Sequence, residues 1–103
     1  MPQYTDEELA EDIAASGKTA PRITAEHLDS KISSEDFHVF PGTTMTVCLL
    51  TLENGYHTIG YSASASAENF DPEIGRKLAR DHARNEIWRL EGYLLRQRLY
   101  EES

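Results

Sequence analysis

Polar and apolar positions alternate most clearly between Thr43 and Ala65, in two runs rich in Thr, Val, Ile and Tyr: Thr43 to Leu52 and Tyr56 to Ala65. They are joined through Asn54-Gly55, the pair that best tolerates positive φ in a type I′ turn, so the pattern predicts a β-hairpin. With Glu53 paired to Tyr56, Leu52 faces His57, Leu50 faces Ile59, Cys48 faces Tyr61 and Thr46 faces Ala63, and this side is the expected core face. The reverse side then carries Met45, Val47, Leu49 and Thr51 against Tyr56, Thr58, Gly60 and Ser62. It is too apolar to be wholly wet and too mixed for a second full core. A lone hairpin is not stable in water, so helices must cover it, and the half-apolar reverse invites the amino-terminal helices or a second subunit.

From Asn69 to Leu99 the period changes to that of a helix. Asp71 is suited to the N-cap, Pro72 to the first helical position, and Glu73 places negative charge where the helix dipole favours it. Ile74, Leu78, Trp88, Leu95 and Leu99 lie near one side at 100° per residue, and Ala79, Ala83, Ile87, Leu90 and Leu94 near the opposite side. A break near Arg89 to Gly92 lets two helices, about 72–88 and 91–100, each turn one face inward; a straight helix with one face on the hairpin and the other in a dimer is the alternative. Large aromatics at this spacing, Trp88 and Tyr93, are expected in the core.

Before the hairpin the patterns are shorter. Thr5 to Ser16 reads as a short helix, with capping-box spacing between Thr5 and Glu8, Leu9 and Ile13 four apart, and Gly17 at its end. Lys18 to Arg22 is a linker. Thr24 caps a second short helix, TAEHLDSKIS, whose buried edge is Leu28 and Ile32. Phe37, Val39 and Phe40 suggest an extended edge segment that ends at Pro41-Gly42. The whole is an α+β domain: an antiparallel hairpin, extended by Phe37 to Phe40 into a third strand, packed by two carboxy-terminal helices, with one or two short helices in front. Residues 1–22 form an acidic extension and residues 23–103 a single domain.

Length and composition agree with one modest core: the chain has 103 residues, 39% of them hydrophobic and 27% charged. No apolar run approaches the ~20 residues needed to span a bilayer. The amino terminus lacks a basic leader followed by an apolar core, and the single cysteine permits no internal disulfide, so a reducing cytoplasmic setting is expected. The net charge of −8 is concentrated in front, where residues 1–36 hold nine acids against three bases; residues 72–103 balance six acids with seven bases. Such a front half repels nucleic acid, which is bound through clustered Lys and Arg.

NGY at 54–56, NFDPEIGRKLAR at 69–80 and IWRLEGYLLRQRL at 87–99 resemble the small proteins of the gene product 49 / gene product 66 family of tailed bacteriophages and prophages. The resemblance runs from Ile23 to Leu99. Family members commonly carry a proline after the tryptophan, where this chain has Arg89. The family is uncharacterised, so the resemblance implies a phage origin, an accessory gene and a host-cytoplasmic setting, and it transfers no catalytic residue. Small accessory phage proteins commonly act on a host factor or a host defence, so a host protein is the expected partner.

Candidate chemistry is sparse. His27, His38, His57 and His82 fall on separate segments without the close spacing of zinc ligands, and Cys48 is expected to be a small buried hydrophobe. No catalytic residue, metal or cofactor is expected, and the chain reads as a non-enzymatic binding protein, with a homo-oligomer, first a dimer, as its assembly. Arg76, Arg80 and Arg84 stand at successive i, i+4 positions and line one helix edge, where guanidinium groups suit the phosphates of a nucleotide or nucleic acid. The plainer reading is that they are solvated residues paired with their neighbours, Arg80 with Asp81 and Arg76 with Glu73; the ladder also suits the acidic amino-terminal helix of a second subunit. Glu7, Glu8, Glu11 and Asp12 form the candidate partner-binding surface of the acidic front.

Overall fold

The computed structural model describes residues 21–103, so the expected helix at Thr5 to Ser16 and the acids Glu7, Glu8, Glu11 and Asp12 lie outside the described residues. A short helix α1 (Ala25–Ser30) leads into strands β1 (Ile32–Val39), β2 (Met45–Leu52) and β3 (His57–Ala63). A 3-10 turn (Ala67–Asn69) then leads to a long helix α2 (Pro72–Glu102). The strands form one antiparallel sheet in the order β1-β2-β3, and α2 packs against β2 and β3. The α+β class follows the sequence pattern, and a third strand is present, but it runs from Ile32 to Val39 where Phe37 to Phe40 was expected.

Local chemistry explains the helix starts. Thr24 accepts the His27 amide at 3.1 Å, and Asp71 accepts the amides of Glu73 at 2.9 Å and Ile74 at 3.4 Å, with Pro72 in the first turn. The second short helix is shorter than its sequence pattern suggests. It stops at Ser30, and Ile32 opens β1 opposite Leu52, because the Lys31 carbonyl accepts the Glu53 amide at 2.8 Å and ties the chain to the hairpin turn.

The hairpin is present, but its register differs by one residue from the type I′ expectation. Only Gly55 takes positive φ, at +89°, while Asn54 stays on the negative side and accepts the Tyr56 amide on its side-chain oxygen at 3.0 Å. The Gly55 amide donates to the Leu52 carbonyl at 2.9 Å and the Leu52 amide to the Tyr56 carbonyl at 2.8 Å, which makes Glu53-Asn54-Gly55 a three-residue loop with glycine at its left-handed position. The extra residue flips β3. Val47 pairs with Tyr61, Leu49 with Ile59 and Cys48 with Gly60, so Ile59, Tyr61 and Ala63 leave the expected core face and Thr58, Gly60 and Ser62 enter it.

The carboxy-terminal segment is one helix of 31 residues, where two were expected. Arg89 keeps the backbone amide that a proline would lack, and Gly92 adopts helical geometry within it. Its second apolar face needs no break to be accommodated. Trp88 is partly buried against the core, whereas Ile74 and Leu78 are left exposed, and Tyr93, expected in the core, also faces solvent. The core consists of Leu28, Cys48, Leu50, Leu52, Ala79, Ala83 and Ile87. Gly60 allows its close packing: a Cβ there would lie 2.1 Å from the Ala83 nitrogen and 2.4 Å from the Ala79 oxygen, so helix backbone rests directly on strand backbone.

Candidate functional site

Among the described residues one long helix covers the sheet, and no described element packs on its other face. Alternation and register put Met45, Val47, Leu49 and Thr51 of β2 there, flanked by His57, Ile59, Tyr61 and Ala63 of β3 and by Ser34, Asp36 and His38 of β1. Ile59 and Tyr61 are 61% and 58% exposed and stand beside Leu49 and Val47, which makes a continuous apolar strip across two strands. His82 of α2 fixes one end of the strip. Its Nδ1 accepts the Tyr61 amide at 3.0 Å, which places the ring proton on Nε2, and its ring meets the Tyr61 ring edge-on at 4.9 Å. A β3 edge amide is thereby occupied, so this edge is less available for pairing with another strand. The β1 edge carries Glu35 and Asp36 and a bulge near Ser34, both of which discourage strand addition.

The arginine ladder divides. Arg80 Nε donates to Glu35 of β1 at 2.6 Å, and Arg84 Nε donates to Asp29 of α1 at 2.8 Å, while Arg76 is exposed nearer the start of α2. Arg84 is buried, and its guanidinium lies 5.8 Å from the centre of the Trp88 ring. Two of the three ladder arginines thus pin β1 and α1 to α2, which departs from the expectation of solvated arginines paired with Glu73 and Asp81: the carboxylates come from other elements, and Arg84 is buried. Glu73 instead faces Lys77 at 3.9 Å.

The histidines are dispersed. His27 contacts Glu91 at 3.1 Å, His57 contacts Thr51 at 3.1 Å, and His38 stacks edge-on with Phe40. Among the described residues no three His, Cys, Asp or Glu come together in a way that could hold a metal ion. Cys48 is fully buried beneath the helix, and burial pushes its thiol pKa up, with the Glu35 charge adding to the effect.

Residues 23–99 match the model of the phage protein family named for N4 Gp49 and phage Sf6 gene 66. The chain belongs to this family. No curated protein and no solved structure matches. The family region contains the whole sheet, its open apolar face and most of α2, whereas Glu7, Glu8, Glu11 and Asp12 precede it. No helix among the described residues is long and apolar enough to cross a membrane.

The sequence reading missed the prominence of Ile59 and Tyr61, which it assigned to the core. Gly60 carried the missing signal. A glycine within a strand marks close backbone approach, and placing it under the helix turns both its neighbours outward.

Proposed function

We propose that this family member is a non-enzymatic phage accessory protein that binds a host protein in the host cytoplasm and thereby blunts a host process such as a defence system. The observation that carries this reading is the open sheet face, where Ile59 and Tyr61 lie exposed beside Val47 and Leu49. Rigid aromatic and aliphatic side chains on a pre-formed sheet are the usual anchors of protein contacts, because they bury area at small conformational cost. A sheet face held from behind by α2 needs no reorganisation to receive a partner.

The test is affinity capture from infected host cells with the parent chain and with Ile59→Glu/Tyr61→Glu. A stoichiometric host protein retained by the parent and lost from the variant, with the helical circular-dichroism signal unchanged, supports the reading. Equal capture by both, or no capture, refutes it. Sedimentation velocity on the same samples separates the host partner from a second copy of the chain: a dimer that becomes a monomer in the variant reassigns the face to self-association.

A further inference from the structure

A concave surface lies where α2 runs past the sheet. At ~1.5 Å per helical residue and ~3.4 Å per strand residue, α2 extends roughly 20 Å beyond what the strands can cover. Between this overhang and α1 lies a cleft of about 620 Å³, within the range of small-molecule sites. Its apolar part comes from Ile23, Leu94 and Leu95, and its rim carries Arg22, Lys31 and Arg98. These cations are distant in sequence and gather in a chain whose net charge is −8.

The cations of the cleft differ in how firmly they are held. Glu91, the carboxylate lining the cleft, is engaged by His27 at 3.1 Å. Lys31 is fixed by Glu53 at 2.8 Å, whereas Arg98 approaches Glu102 only at 3.8 Å in an exposed i, i+4 contact of the kind that contributes little. Arg22, which also lines the cleft, is exposed. Two guanidinium groups free to re-aim, next to an apolar wall, match a single anionic head with an apolar body. A nucleic-acid strand fits poorly, because it needs a run of cations. Here Glu53 and Glu102 sit against Lys31 and Arg98, whereas a single anionic head need meet only the two guanidinium groups.

We propose that this cleft binds an amphipathic anion, its carboxylate or phosphate head held by Arg22 and Arg98 and its apolar body resting on Ile23, Leu94 and Leu95. The site is distinct from the arginine ladder and lies on the helical side of the sheet, away from the open face.

The test is calorimetric titration of the full chain with decanoate and with decyl phosphate, alongside inorganic phosphate and uncharged decyl maltoside. Saturable binding of at least one decyl anion is expected, with a Kd on the order of 0.1 mM. It should weaken about tenfold or more in Arg22→Glu/Arg98→Glu and in Leu94→Glu, all exposed positions, and remain unchanged in Ile59→Glu/Tyr61→Glu. Which anion binds more tightly distinguishes a carboxylate from a phosphate head. Binding unaffected by the arginine changes, equal binding of decyl maltoside, inorganic phosphate binding as tightly as decyl phosphate, or no saturable binding of either anion would overturn the proposal.

Discussion

Replacing Gly60 by alanine tests whether a single unbroken helix rests directly on the sheet. The added Cβ would lie 2.1 Å from the Ala83 nitrogen, 2.4 Å from the Ala79 oxygen and 2.8 Å from the His82 carbonyl carbon. All three are backbone atoms, so no side chain can rotate away, and the helix must rise by more than ~1 Å to restore ordinary contact. Overpacking typically costs about 1–3 kcal/mol, and a clash with backbone on both sides belongs at the upper end. A domain stable by roughly 5–15 kcal/mol survives this loss, and with a urea slope of about 1.5 kcal/mol/M the midpoint should fall by ~2 M. Gly92 supplies the opposite sign, since a Cβ there meets nothing within 4 Å and the residue lies inside α2. Gly92→Ala should therefore stabilise by about 1 kcal/mol, raising the midpoint by ~0.7 M. A fall below ~0.5 M for the first variant, or no gain for the second, would refute the close seam or the continuous helix respectively.

Three further outcomes are expected. Thr46 and Thr58 bury hydroxyls that have no hydrogen-bond partner among the described residues, so Thr58→Val should raise stability by about 1 kcal/mol in urea melts; a loss of that size would show a hidden partner. Cys48 lies under the helix with its thiol pKa raised by burial, so a thiol reagent at neutral pH should label it only at the rate of global unfolding; rapid labelling in native buffer would refute this placement. The hydrogen bond and charge attraction between Lys31 and Glu53 lower the Glu53 pKa and raise that of Lys31, so the carboxylate's contribution holds above its ordinary 4.5 and is lost as pH falls through its folded value, while the ammonium's holds below its ordinary 10.5 and is lost as pH rises through its folded value. The stability difference between the parent and Lys31→Met should accordingly be flat between those limits and shrink outside them, and a difference that grows in acid would contradict it.

Much of the fold was legible because local signals acted alone. Asp71-Pro72 starts α2, Thr24 starts α1, and Asn54-Gly55 makes the hairpin, each through an amide satisfied within a few residues. What could not be read depended on partners far along the chain. The loop length turned on Asn54 using its side chain instead of positive φ, an alternative with the same residues and the opposite β3 face. The ladder arginines looked available because Asp29 and Glu35 lie 55 and 45 residues away in sequence. The cleft was invisible for the same reason, since Arg22, Lys31 and Arg98 become neighbours only after α2 has passed the end of the sheet.

The close seam at Gly60 also bears on function. A strand alternates its faces, so a glycine pressed against α2 puts the residues on either side of it, Ile59 and Tyr61, on the opposite face of β3, from which the Tyr61 ring still meets His82 of α2. The seam that lets a helix with Ala79 and Ala83 at its contact face approach the sheet therefore also creates the exposed apolar strip opposite. His82 then fixes Tyr61 from the helix side, so the orientation of this ring depends on the same packing. Mutations that lift α2 should consequently weaken partner capture even when they lie on the far side of the sheet. Gly60→Ala is the sharpest case, because it changes no residue of the strip itself. Undiminished host-protein capture by that variant, alongside a measured loss of stability, would show that the strip acts independently of the seam.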